Sequence, residues 1–171
     1  MALVAQHASG AFDAFIKIGD IKGESTDAKH AEWIELKSVQ WDVKREIAPP
    51  TGGGGSGREA SAPKISELTI TKQLDRSSPA ILLNALGGSG EIPTVTLELT
   101  NTTTAKVFYR ITLSDVLISS QKQVGTDSED KPNETITFNF AKIQVDYIYT
   151  DPKGVQTTST VTFDLAKQSA S

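Results

Sequence analysis

The chain has 171 residues, 37% hydrophobic and 22% charged, the length and balance of one globular domain. A formal charge of −4 and a pI near 5.2 supply no sequence-independent attraction to nucleic acid or to an anionic membrane. Cysteine is absent, which removes disulfide frameworks, thiolate metal sites and thiol nucleophiles together.

The first eleven residues lack a basic n-region, and their one apolar run is shorter than the ~7–15 residues of a signal core. No stretch approaches the ~18–20 apolar residues that span a bilayer, so no membrane insertion is expected. The chain is expected to mature in the cytosol and to leave the cell only by a route that needs no signal peptide. Phe12, Ala14, Ile16 and Ile18 then alternate with Asp13, Phe15 and Lys17, which predicts a strand with one buried face and puts Phe15 on the wetter side.

Across 34–47 the apolar parity moves from Ile34 and Leu36 to Val39, Trp41 and Val43, which predicts a β-bulge near Ser38. Gly and Pro make 49–63 the longest irregular stretch. Ser78 is suited to an N-cap and Pro79 to the first helical position; Gly87 and Gly88 stop a short helix whose apolar side is Leu82, Leu83 and Leu86. Val95, Leu97 and Leu99 alternate with polar neighbours in the next strand. Parity then changes twice more, near Asp115 within 107–118 and near Ala141 and Lys142 within 136–147. Residues 124–133 read as a solvated hairpin tip, and Val161, Phe163 and Leu165 mark a last strand. Long strands that change phase suit a curled sheet, so the fold class expected is mainly β: an antiparallel β-barrel with one short α-helix.

Motifs that carry chemistry are weak. Residues 52–58 have P-loop glycines, but Arg58 and Glu59 stand where Lys and Ser or Thr are needed, and Pro63 replaces the phosphate-binding helix. Ser25, Asp27 and His30 could be imagined as a triad, yet they crowd one loop and no nucleophile elbow is present. His30 is expected instead to bond within the loop before Trp33. Two distant histidines offer no zinc spacing, and no carboxylate pair is marked out for glycoside hydrolysis. Two glycosylation sequons, at Asn101 and Asn133, read as chance matches. No catalytic residue, cofactor or metal is expected, and the chain is read as not an enzyme. Trp41 and Phe15 are candidate interface aromatics, with a core role equally natural for Trp41.

The order of motifs resembles the haemolysin co-regulated protein family, Hcp, tube subunits of bacterial type VI secretion systems. The match opens at Phe12-Asp13-Ala14-Phe15-Ile16-Lys17 and runs through GESTDAKHAEWIEL (23–36), the Gly-rich loop, ITKQLDRSSPAILL (70–83), ITLSDVLISSQ (111–121) and ETITFNFAKIQVDY (134–147). The departures are an extension at 1–11 and a Thr-rich final strand, with one domain at 12–166 and a tail at 167–171. The resemblance implies a six-membered ring, stacked rings forming a hollow tube, and a surrounding sheath, spike and baseplate, with effector proteins in the lumen. It further implies that an extended loop, Pro49, Pro50, Thr51, Gly52, Gly53, Gly54, Gly55, Ser56, Gly57 and Arg58, reaches the adjoining ring. Gln40, Asp42 and Lys44 are candidates for the lumen wall. A phage-like or extracellular contractile tube subunit shares this logic, and a monomeric carbohydrate-binding or adhesin module is the alternative of a different class.

Overall fold

The computed structural model describes residues 12–49 and 58–171. Eleven strands and one helix follow in the order β1 (Phe12–Ile18), β2 (Ile34–Leu36), β3 (Ser38–Gln40), β4 (Val43–Lys44), β5 (Lys64–Ile65), β6 (Leu68–Gln73), α1 (Ser78–Ala85), β7 (Ile92–Asn101), β8 (Val107–Val124), β9 (Asn133–Thr150), β10 (Gln156–Asp164) and β11 (Ser169–Ala170). All pairings are antiparallel. The main sheet runs β11-β10-β9-β8-β7-β1-β2, while β6 joins β9 on one side and β3 on the other. Because β2 and β3 are separated by Lys37 alone, the two ends of the β2-to-β3 path meet in one chain segment, and the Lys37 amide bonds the Thr71 carbonyl at 2.7 Å. The sheet is thereby curled into a barrel, with β10 and β11 branching from the far half of β9.

Period two explains the core. Ile16 and Ile18 of β1, Leu68 and Ile70 of β6, Ile136 and Phe138 of β9 all point inward and are fully buried. Each such side chain contributes about 1.5–3 kcal/mol relative to exposure. The expected phase changes in β8 and β9 fall opposite each other. Asp115 has φ of +54°, and the ladder pairs Ser114 with Lys142 and Val116 with Phe140 while leaving out the step between them. On the other side β7 also omits that step, where Pro93 has no N–H to give. A second irregularity lies between Ile118 and Ser120.

Two expectations need correction, the bulge near Ser38 and the Ser78 N-cap. The phase change near Ser38 is not a bulge in one strand: β2 pairs β1 and β3 pairs β6, so the chain changes partner there. The stretch after Trp41 is a narrow two-stranded arm, in which Val43 pairs Ile65 and an isolated bridge joins Ile47 to Ala60. The last residues pair back on β10, Ser169 with Asp164 and Ala170 with Phe163. In the helix the N-cap position is Ser77, without a side-chain cap, and Ser78 is the first helical residue. Ile81 is the helix's buried hydrophobe, whereas Leu82, Leu83 and Leu86 face outward. Counting leucines cannot tell which side of a two-turn helix is covered.

Ser78 serves a different purpose. Lys72 follows Leu68 and Ile70 on inward parity and is fully buried, directly across the ladder from the equally buried Glu134. Its ammonium meets Glu134 Oε2 at 2.7 Å, Asp75 Oδ1 at 2.9 Å, the Gln73 carbonyl at 2.8 Å and Ser78 Oγ at 3.2 Å. Ser78 donates to Glu134 Oε2 at 2.6 Å, and Gln121 and Gln123 donate to Oε1 at 2.9 and 2.7 Å. This network ties the helix N-terminus to β6, β8 and β9. Burial pushes the Glu134 carboxyl up, but the bonds from Lys72, Ser78 and Gln123 outweigh it and hold the group below its ordinary value.

Two outcomes are expected. A carboxyl lowered in the folded state stabilises fully above its ordinary value near 4.5 and loses that contribution as pH falls through the lowered one. Glu134→Gln should therefore cost about 3 kcal/mol in urea unfolding at neutral pH and fixed subunit concentration. It should also flatten the acid loss of stability below about pH 4.5; an acid limb unchanged from the parent would contradict the assignment. At Gly23 an added Cβ would stand 2.3 Å from the Trp33 carbonyl oxygen, so Gly23→Ala should cost about 1–3 kcal/mol by the same measurement.

Candidate functional site

The GES-x(4)-H-x-x-W segment folds as a loop over the outer face of β1. Gly23 donates to the Glu32 carbonyl at 2.7 Å and Ser25 to the Trp33 carbonyl at 3.0 Å, closing the loop on itself. The Arg76 guanidinium crosses to the Gly23 carbonyl at 2.6 Å, linking this loop to the approach of the helix. His30 is brought down onto Phe15, ring on ring at 4.3 Å and nearly parallel, with Trp33 edge-on at 4.9 Å. Phe15 is consequently buried, which corrects its expected place on the wetter face. Strand parity was right about the side and silent about the loop that covers it. In the isolated protomer Phe15 is a core residue rather than a presented one.

His30 places Nδ1 at 2.7 Å from Asp27 Oδ1 and Nε2 at 2.7 Å from Glu98 Oε2. Both nitrogens face carboxylate oxygens, so the ring is held from either side. Burial raises the Asp27 carboxyl, and the bonds from the His30 ring and from the Lys29 and His30 amides bring it below its ordinary value. Ser25 Oγ accepts from the Asp27 amide at 3.2 Å, and the second nitrogen of His30 is committed to Glu98, so the imagined triad is not assembled.

From Glu98 the charges continue across the sheet. Arg110 Nε donates to Glu98 Oε1 at 2.6 Å and its Nη1 stands 3.9 Å from Asp146 Oδ2. Thr160 and Gln144 complete the Asp146 carboxylate, at 2.7 and 3.1 Å to Oδ1. The register explains the alignment: Phe15, Glu98, Arg110, Asp146 and Thr160 are successive cross-strand partners over β1, β7, β8, β9 and β10. A row of alternating charge thus crosses β7, β8 and β9, with Phe15 and Thr160 at its two ends. Its role is architectural, and among the described residues no group of acidic and histidine side chains could hold a metal ion.

The surface candidates lie elsewhere. Gln40 is exposed on β3 and begins a second transverse row, through Thr69 and Thr137 to Ser120. Thr69 and Thr137 share a hydroxyl bond at 3.2 Å, and the row is uncharged. Asp42 and Lys44 are exposed beside it and pair at 2.9 Å. Gln40, Trp41, Asp42, Glu67, Thr69 and Thr137 line one shallow depression, so Gln40 and Asp42 are brought together. Lys44 belongs to the neighbouring arm. Trp41 is partly buried and packs on the core. Of the loop candidates, Pro49 and Arg58 flank the arm, and 50–57 lie outside the described residues.

Sequence reasoning missed one surface. In the half of β9 beyond the phase change, Tyr147 and Tyr149 keep the parity of Val145 yet stand half exposed, as does Val161 on β10. Their signal was present: residues 154–163 contain no charged side chain in a chain that is 22% charged.

The family described as type VI secretion system effector, Hcp, matches residues 15–147, most of the barrel. Protein hcp1 of Pseudomonas aeruginosa is 36% identical over 138 residues, covering 80% of this chain and 83% of its own length. Among solved structures, a type six secretion system protein superposes with a TM-score of 0.84 at 28% identity, covering 94% of this chain and all of its own. Hcp1 from Salmonella typhimurium gives 0.76 at 25% identity, over 95% and 100%. The cap terminating the tube of an anti-feeding prophage, at 13% identity and a TM-score of 0.57, shares the fold alone. The order of motifs, the barrel they build and these matches agree: the chain belongs to the Hcp family, the tube subunits of type VI secretion systems.

Proposed function

We propose that six copies of this chain close into a ring and that rings stack into the tube that a contractile sheath drives outward, tipped by a spike and seated on a baseplate. Effector proteins travel in the lumen. The subunit is made and assembled in the bacterial cytoplasm and leaves with the tube, without a signal peptide. In this reading it performs no chemistry. The observation that carries the proposal is the family match across residues 15–147, joined to a protomer that leaves β10 and the end of β9 exposed. A closed ring needs a head-to-tail contact between two different surfaces, and a tube needs a further contact repeated along the axis.

The uncharged row of Gln40, Thr69, Thr137 and Ser120 is assigned to the lumen wall, with Asp42 and Lys44 at its margin. Such a wall offers hydrogen bonds without a strong field, and cargo can be held weakly and released. The loop containing Gly52, Gly53, Gly54 and Gly55, which lies between β4 and β5 in sequence, is proposed to reach the adjoining ring, where residues without a Cβ would allow close backbone approach. Phe15 is assigned to the protomer core and Trp41 to the base of the arm.

The direct test is export. Cells with a working sheath should release the chain into the medium, and cells whose sheath is locked extended should retain it; equal release from both would defeat the reading. Removing 52–57 should leave the rings intact and shorten the tubes seen by negative-stain microscopy. Tubes of parental length from the shortened chain would show that the loop does not mediate stacking.

A further inference from the structure

We infer that in the ring the leucine face of α1 on one subunit covers the exposed β9–β10 face of its neighbour, an inference that rests on the ring assembly proposed above. The two surfaces are the unfinished halves of one helix-on-sheet layer. A sheet face and a helix stripe of apolar side chains must each be covered, and the stable arrangements put one upon the other. Here each is left open within the protomer.

On the sheet side, β10 pairs β9 and, at Phe163 and Asp164, β11. Its residues 156–161 are exposed throughout, and beside them Tyr147 and Tyr149 carry the inward parity of the core past the point where the core ends. On the helix side, Ile81 fills the protomer's interior while Leu82, Leu83 and Leu86 are 46%, 52% and 76% exposed. The helix cannot cover the sheet face of its own chain. Ser78 holds its start to Glu134, near the first residue of β9, and Tyr147 lies thirteen residues further along that strand, roughly 40 Å at the rise of an extended chain.

Charge selects the occupant. Residues 77–90, which contain the helix and its exit, have no charged side chain, and neither do residues 154–163. Two exposed, charge-free and apolar surfaces on one chain suit each other and suit a heterologous contact, in which each subunit presents one surface to either side. A second copy of this chain is therefore the partner, and the Leu82, Leu83 and Leu86 cluster supplies the anchor side chains that Tyr147, Tyr149 and Val161 receive.

The natural absence of cysteine makes the test clean. Four double variants join Leu82→Cys or Leu86→Cys to Tyr149→Cys or Val161→Cys, and each is treated with a short bismaleimide and resolved on a denaturing gel. At least one pair should give a ladder of covalent species up to six copies, while the single variants should stop at dimers. Leu86→Asp and Val161→Asp, both at exposed positions, should keep the parental circular dichroism and lose the ring in sedimentation. Rings that persist in both variants, or parental rings with no ladder from any pair, would overturn the inference while leaving the ring standing. A parental chain that sediments only as a monomer would overturn the ring proposal and this inference with it.

Discussion

The ladder formed by two 18-residue strands, β8 and β9, is the constraint on which the rest depends. A strand of that length with strict alternation would present one apolar face from end to end, and a small barrel cannot enclose it. The change of parity around Asp115 and Ala141 lets one hairpin serve two neighbourhoods. Before it, β9 pairs β6 and closes the barrel over Ile136 and Phe138; beyond it, β9 pairs β10 and leaves the barrel. The positive φ at Asp115 and the proline opposite on β7 mark where the ladder gives way.

Two electrostatic arrays, the first buried and the second partly so, fasten the pieces that this hairpin does not reach. Lys72 and Glu134 hold the helix to the end of the barrel, and the row from Asp27 and His30 to Asp146 holds the 20–33 loop and five strands in register. Removing one partner from a buried ionic network leaves an uncompensated charge, which explains why residues that look like functional signatures in the sequence are in fact fasteners.

How much could be read beforehand follows from what alternation encodes. The strands, the helix and the two parity changes in β8 and β9 were legible, because a side chain's parity records which face is covered. Phe15 was misplaced because its second face is covered by a loop, and a loop leaves no period. The change at Ser38 was read as a bulge because parity reports a slip without naming the partner strand. Leu82, Leu83 and Leu86 mark the apolar side of the helix, and apolar character signals that a surface will be covered, not that its own protomer covers it. Lys72 was the overlooked clue: a lysine on inward parity after Leu68 and Ile70 demands a buried anion, and Glu134 holds the matching position on β9. The loop at 50–57 remains legible as sequence alone.

The subunit is thus a closed barrel carrying an open sheet extension and a helix with an uncovered apolar side, which the proposed ring would complete among its copies. Negative-stain electron microscopy of the purified chain tests that claim most directly. Six-fold rings with a central hole, alone or stacked into hollow tubes, are the predicted result. Uniform small particles at high protein concentration, with no ring at any salt, would contradict it.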